Sequence, residues 1–189
     1  MSTHDFPVTA SRTEYRGFRF AIDRDTVVMP DGSRADRIYM RHPGAVAVVA
    51  VDDDLRVALV YQYRHPVRQR LWEIPAGLRD VPGEDPAVTA RRELAEEVDL
   101  TAQTMEPLID VFPSPGAMDE RIPVFLARGL SPVPVADRHV RSQEEADLTL
   151  RWWPLPEAVA GVMDGRIRNG VTAVAVLAAA QRLDIRHTL

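Results

Sequence analysis

The sequence predicts an α/β protein of the α+β kind, with a mixed sheet sandwiched between helices and a small antiparallel β arm ahead of it. Three observations predict it. Short runs of β-branched and aromatic residues, punctuated by turn residues, fill the first third of the chain. A charged helix with one apolar face follows, and the last forty residues carry Ala and Val at helical spacing. With 189 residues, 46% of them hydrophobic and 27% charged, the chain is long enough for one substantial core. The expected organisation is a β arm over residues 1–42, belonging to the same unit as a main domain over residues 43–189.

Taken in order, residues 16–42 hold the runs GFRFAI, DTVVM and RIYMRH around a turn at Pro30-Asp31-Gly32, the pattern of a small antiparallel hairpin unit. Two strands follow, AVAVVAVD and RVALVYQYR, joined by Asp52-Asp53-Asp54, which reads as a solvated turn rather than a metal site. LWEIPAG leads into the charged helix, and further strands are expected near 108–112, 121–127 and 149–154. Trp152 and Trp153 are adjacent on the last of these, so one should be buried and the other half-exposed. The connections PSPGAMDER and LSPVPVADRHVRSQEEAD are long, Pro-rich and polar, as loops that carry function often are. Two helices, PEAVAGVMDG and GVTAVAVLAAAQRL, are separated by a turn between Gly165 and Gly170.

Composition removes several classes of chemistry. There is no cysteine, so disulfides, thiolate catalysis and cysteine-ligated metals are excluded. Every basic residue is Arg, which excludes a Schiff-base lysine. A net charge of −5 argues against a nucleic-acid polymer as partner. The first residues lack the apolar run of a signal peptide and no stretch is long and apolar enough for a membrane helix, so a cytoplasmic location is expected.

The segment from Gly77 to Leu100, GLRDVPGEDPAVTARRELAEEVDL, carries the most chemistry. At about 3.6 residues per turn, Glu93 and Glu97 lie one above the other with Glu96 beside them. Ala87, Ala90, Leu94 and Val98 recur on another face, so a single helix can serve both core and site. Clustered carboxylates repel one another unless cations fill the patch. Mg²⁺ suits it, being a hard ion that takes oxygen ligands at about 2.0–2.1 Å and shares its shell with waters and substrate phosphates. The plainer reading is a solvated helix with weak Arg–Glu pairs, but a glycine approach, an Arg-Glu pair and a preceding apolar strand make the whole constellation more specific than its parts.

These residues resemble the box of the Nudix hydrolases, G-x5-E-x7-R-E-U-x-E-E-x-G-U with U aliphatic. Gly77, Glu84, Arg92, Glu93, Leu94, Glu96, Glu97 and Leu100 fall on its fixed positions, with two departures: six residues rather than five separate Gly77 from Glu84, and Asp99 replaces the second glycine. Pro82 and Gly83 are placed to absorb the extra residue. Asp99 stands where glycine supplies a left-handed helix cap, a conformation Asp tolerates less well. Beyond the box, YQYRHPVRQRLWEIPAGL, PSPGAMDE, EEADL, GRIRNGVT and the N-terminal arm resemble the ADP-ribose pyrophosphatase branch, so the resemblance runs from about Gly17 to Leu183.

The resemblance implies an α/β/α sandwich, a homodimer that exchanges its arms, and metal-dependent hydrolysis of ADP-ribose to AMP and ribose 5-phosphate. It implies a metal shell of the Ala76 carbonyl, Glu93, Glu96 and Glu97 around Mg²⁺, with Mn²⁺ as the alternative, and Glu84 at its edge or paired with Arg92. It implies catalytic roles for Arg92, Glu96, Glu97 and the loop acid Glu144, for which Glu145 is the alternative. Arg64 and Arg37 resemble diphosphate contacts, Arg37 from the partner subunit; Glu120 resembles a residue that holds the ribose side, and Phe20 a stacking platform for adenine. Plainer roles compete with these: Arg64 as the partner of an acid, Arg37 as a solvated cation, Phe20 as core. No histidine shows metal-ligand spacing. Two further functions stay open, a Nudix hydrolase for another nucleoside diphosphate derivative and a non-catalytic nucleotide-binding domain.

Overall fold

The structure is a computed structural model that describes residues 4–141 and 147–184. It divides into two compact units: residues 1–44 with 112–121, and residues 45–111 with 122–189.

The first unit is an antiparallel sheet of β1 (Val8–Arg16), β2 (Ala21–Val28) and β3 (Arg34–Arg41), in the order β1-β2-β3. The turn expected at Pro30-Asp31-Gly32 joins β2 to β3. Gly32 takes φ 82°, Met29 N–H donates to the Ser33 carbonyl at 2.8 Å, and Asp31 accepts from the Ser33 backbone and hydroxyl. The run GFRFAI divides: Gly17–Phe20 close a tight turn, with Gly17 N–H on the Phe20 carbonyl at 2.8 Å, and only Ala21 and Ile22 enter β2. Residues 112–121 return to this unit. Met40 N–H donates to the Ala117 carbonyl (2.8 Å) and Asp119 N–H to the Met40 carbonyl (3.2 Å), so PSPGAMDE lies along β3.

The second unit contains β4 (Ala45–Ala50), β5 (Arg56–Arg64), β6 (Gln69–Glu73), β7 (Ala76–Leu78), α1 (Pro86–Val98), β8 (Leu100–Val111), β9 (Ile122–Pro132), β10 (Thr149–Pro154), α2 (Leu155–Met163) and α3 (Gly170–Arg182). One sheet is mixed, β7-β4-β9-β8, with β4 and β9 parallel; the other, β10-β5-β6, is antiparallel. Side-chain alternation sorts the apolar strands into two cores. Ala45, Ala47 and Val49 of β4 join Val57 and Leu59 of β5 and the apolar faces of α2 and α3. Val46, Val48 and Ala50 join Ala58 and Val60 and the Ala90, Leu94 and Val98 face of α1. The mixed sheet therefore lies between helices, as the sequence predicts, and β4 is buried throughout because both its faces are covered.

Other expectations hold with shifted bounds. Trp153 is buried and Trp152 half-buried, and Trp72 packs edge-on to Trp153 with ring centroids 5.4 Å apart. Asp52 forms the acidic turn by accepting from the Asp54 and Arg56 backbone. β8 starts directly after α1, at Leu100 rather than near 108, because its pairing with β9 sets its length and its own sequence is mostly exposed.

Leu94 anchors α1 in its core with no exposed surface. Leu94→Ala should lower the unfolding free energy by about 2–5 kcal/mol, as measured by urea titration of the metal-free protein.

Candidate active site

α1 is bounded at both ends by its own side chains and backbone. Asp85 caps the N-terminus by accepting from Ala87 N–H at 2.8 Å, and Pro86 opens the helix with a preset φ. Asp99 closes it at φ 56°, its N–H directed to the Ala95 and Leu94 carbonyls. The extra residue in the approach is taken up by a turn: Gly83 sits at φ 79° and Glu84 N–H donates to the Val81 carbonyl at 3.2 Å. Glu84 still reaches Arg92 (3.6 Å), and Thr89 Oγ1 donates to it at 2.7 Å.

Strand β7 lies against the acidic face of the helix. Ala76 N–H donates to Glu97 Oε2 at 2.9 Å, which orients that carboxylate. A Cβ built on Gly77 would fall within the Glu93 carboxylate, so only glycine leaves room for it. Glu93 and Glu97 are buried and Glu96 is half-buried. Arg92 is the hub of the cluster, with Nη1 2.6 Å from Glu93 Oε1 and 3.5 Å from Glu96 Oε2, and Nη2 3.4 Å from Asp80 Oδ1. Glu93 thus pairs with Arg92, and Glu97 with the β7 backbone. Among the described residues no group of three or more Asp, Glu, His or Cys side chains stands gathered as a ready-made cage.

Burial pushes the Glu93 carboxyl up to about 7, with Arg92 opposing the shift and the charge of Glu96 adding to it. A desolvated carboxylate against a glycine-lined backbone, with a carbonyl and two further acids on the same face, has the donor chemistry of a hard divalent cation site. The raised pKa also predicts a pH dependence. The neutral form is favoured by the fold, so this contribution to stability is full below the ordinary carboxylate pKa and is lost as pH rises through about 7. Asp23, Asp31 and Asp36 are instead held below their ordinary values by hydrogen bonds, with Arg41, Ser33 and Arg24 as the main donors, and act only in the acid range. Metal-free protein should therefore melt at a higher temperature at pH 5.5 than at pH 8, and Glu93→Gln should flatten that slope in a thermal scan with chelator.

The remaining candidates fall in different places. Arg64 ends β5 and pairs with Glu73, Nη2 to Oε2 at 2.6 Å; Glu73 is buried and also accepts from Gln62 at 3.2 Å. The acid-pairing role is thus realised, and 45% of the Arg64 side chain stays exposed. Arg37 lies exposed on β3, donating to the Asp36 carbonyl at 3.1 Å. Phe20 is 41% exposed, not core, and lines a cavity of about 340 Å³ in the first unit with Arg16, Phe18, Arg41 and His42. Glu120 belongs to the same unit, its Oε1 3.2 Å from His42 Nδ1, while Asp119 accepts from His42 N–H at 2.8 Å. Sequence spacing does not reveal these contacts of His42, because its partners come from 77 and 78 positions later. Glu144 and Glu145 lie outside the described residues.

An acid-bearing helix packed against a short strand with glycine at its centre has the donor set of a divalent-metal site. The chain belongs to the Nudix family: the NUDIX domain profile matches residues 40–173. It is similar to an ADP-ribose pyrophosphatase of Mycobacterium tuberculosis, at 47% identity over 94% of this chain and 84% of that protein. It is also similar to a methanol dehydrogenase activator of Bacillus methanolicus, at 40% identity over 80% of each chain. A solved structure, described as the crystal structure of an ADP compounds hydrolase, superposes with a TM-score of 0.81 over the whole of both chains; at 22% identity it attests the fold alone. Nudix hydrolases generally need a divalent metal, and no described helix is long and apolar enough to cross a membrane.

Proposed function

We propose that this Nudix pyrophosphohydrolase cleaves the diphosphate bond of ADP-ribose, giving AMP and ribose 5-phosphate. The observation that carries the reading is the 47% identity, over nearly the whole chain, to an ADP-ribose pyrophosphatase, together with an unbroken Arg92-Glu93-Glu96-Glu97 set. Mg²⁺ is the proposed cation, with Mn²⁺ as the alternative, held by the Ala76 carbonyl, Glu93, Glu96 and Glu97. When bound, such an ion polarises phosphoryl oxygens and lowers the pKa of a coordinated water.

The chain's own residues have separate tasks in this reading. Ala76 N–H holds Glu97 in one orientation, and Arg92 offsets the charge of the acid cluster and braces Glu93. Glu144, or its neighbour Glu145, takes a proton from the attacking water, whose oxygen bonds to one phosphorus while the bridging P–O bond breaks. Arg64 contacts the diphosphate, for which a guanidinium that is steadied by Glu73 and nearly half exposed is suited. Arg37 of the partner subunit adds a second diphosphate contact in a homodimer, Glu120 holds the ribose side and Phe20 stacks on adenine, its exposure in an Arg-lined cavity supporting that role. A cytoplasmic homodimer acting on a small nucleotide, with no nucleic-acid polymer and no membrane as partner, completes the proposal.

The test is hydrolysis of ADP-ribose with and without Mg²⁺, beside ADP-glucose, GDP-mannose, NADH and 8-oxo-dGTP, with products separated by chromatography. Preferential cation-dependent release of AMP and ribose 5-phosphate supports the reading. Cleavage of another compound in its place would transfer the specificity to that derivative, and binding of ADP-ribose without turnover would make the chain a sensor.

A further inference from the structure

Asp99 is one of the two places where this chain leaves the family's box, and its surroundings give the aspartate a task that glycine could not perform. At φ 56° and ψ 37° the residue is left-handed, a conformation glycine adopts without strain and an L side chain does not. The cap itself needs no side chain, since the N–H directed to the Ala95 and Leu94 carbonyls is backbone. What the aspartate adds is a carboxylate. Arg141 Nη2 lies 2.6 Å from Asp99 Oδ2, and Arg138 Nε lies 4.0 Å from Oδ1. The same Arg141 donates through Nε to the Glu96 carbonyl at 3.0 Å, one of the helix-terminal carbonyls that have no partner within the helix. The Asp99 carbonyl in turn accepts from Val133 N–H at 2.8 Å, and Arg138 Nε donates to the Val133 carbonyl at 3.2 Å. Both members of the Asp99–Arg141 pair are largely buried, at 22% and 26% side-chain exposure, and a guanidinium at a helix C-terminus also meets the negative end of the helix dipole.

We propose that Asp99 and Arg141 are positioning residues, a clamp that fixes the last turn of α1 and so sets the backbone from which Glu96 and Glu97 reach a divalent cation. The inference rests on the reading of Glu93, Glu96 and Glu97 as cation ligands. It accounts for a strained residue at the end of the helix that carries them: the carboxylate recruits Arg141, and Arg141 ties down the Glu96 carbonyl.

The test compares Asp99→Asn, Asp99→Gly and Arg141→Gln with the unaltered protein. Three measurements are made: amide hydrogen exchange of residues 95–99 in chelator, Mn²⁺ affinity by electron paramagnetic resonance, and kcat and KM for ADP-ribose. Each variant should exchange faster in the last turn of α1 alone. Each should also bind Mn²⁺ roughly tenfold more weakly, the effect typical of losing a group that orients a ligand, with KM little changed. Asp99→Gly should do so without a fall in melting temperature, because glycine fits the left-handed position. The Asp99→Asn/Arg141→Gln pair should be no weaker than its worse single variant. Wild-type exchange and Mn²⁺ affinity in all three variants would overturn the clamp. Glu93→Gln separates the two readings: if it binds Mn²⁺ as tightly as the unaltered protein, the assignment of cation ligands has failed, whereas weak binding by Glu93→Gln beside normal binding by the clamp variants sinks the clamp alone.

Discussion

Glu97→Gln and Glu93→Gln are each expected to lower kcat by more than a hundredfold while leaving the protein folded. Loss of an outer group that merely orients a metal ligand typically costs roughly 10–100-fold, so loss of a ligand should exceed that range. The two variants should nevertheless differ in stability. Glu97 accepts from Ala76 N–H at 2.9 Å, and the carbonyl oxygen of a glutamine can accept the same bond, so Glu97→Gln should melt close to the unaltered protein. Glu93 is a desolvated acid whose carboxyl burial has pushed up to about 7. Replacing it with a neutral isostere removes the disfavoured charge, and above pH 7 Glu93→Gln should melt at a higher temperature than the unaltered protein in chelator. Steady-state kinetics at saturating Mg²⁺, beside thermal scans with and without the ion, check both halves. Near-normal turnover by either variant would refute the metal-site reading, and a collapsed melting curve would show that the carboxylate serves the fold.

The parts of the molecule that were legible in the sequence are those whose determinants are local. Gly77, Glu84, Arg92, Glu93, Glu96 and Glu97 are separated by a turn and one helix, so spacing alone orders them, and the continuous apolar runs of β4 and β5 display their burial directly. β1 was not legible because VTASRTEYR is exposed at every position and has no buried face to betray a period. What remained hidden depends on register and long-range return. Arg64 meets Glu73 along one face of the β5–β6 ladder, where Val60 stands opposite Glu73 and Arg64 opposite Gln69, so the contact spans four rungs and no single strand contains it. PSPGAMDE joins the arm's unit through Met40, more than seventy residues earlier, and Asp99 finds Arg141 forty-two positions on. The aspartate itself was visible as a departure from the box, but the sequence offered only its strain as an interpretation. Its carboxylate partner could be named only once the chain was folded.

Gly77→Ala is expected to abolish most activity through a single methyl group, with a loss of roughly a hundredfold or more, comparable to removing an orienting group outright. Gly77 does not have a left-handed φ, so its backbone accepts alanine without strain. The difficulty is wholly steric: the new Cβ would coincide with the Glu93 carboxylate, the far end of a flexible side chain that can swing away. The fold should therefore survive while Glu93 leaves the cluster and its contact with Arg92, 2.6 Å in the unaltered protein. A double-mutant cycle distinguishes this from general damage to β7. If the methyl acts by evicting Glu93, Gly77→Ala should add almost nothing to the loss in a Glu93→Gln background, since the group it displaces has already lost its charge. If the methyl instead distorts β7 and the Ala76 carbonyl with it, the two losses should multiply, and circular dichroism with a urea midpoint would register the damage in the single variant. A Gly77→Ala protein with normal kcat would mean that Glu93 can move without consequence, which is incompatible with its role as a ligand.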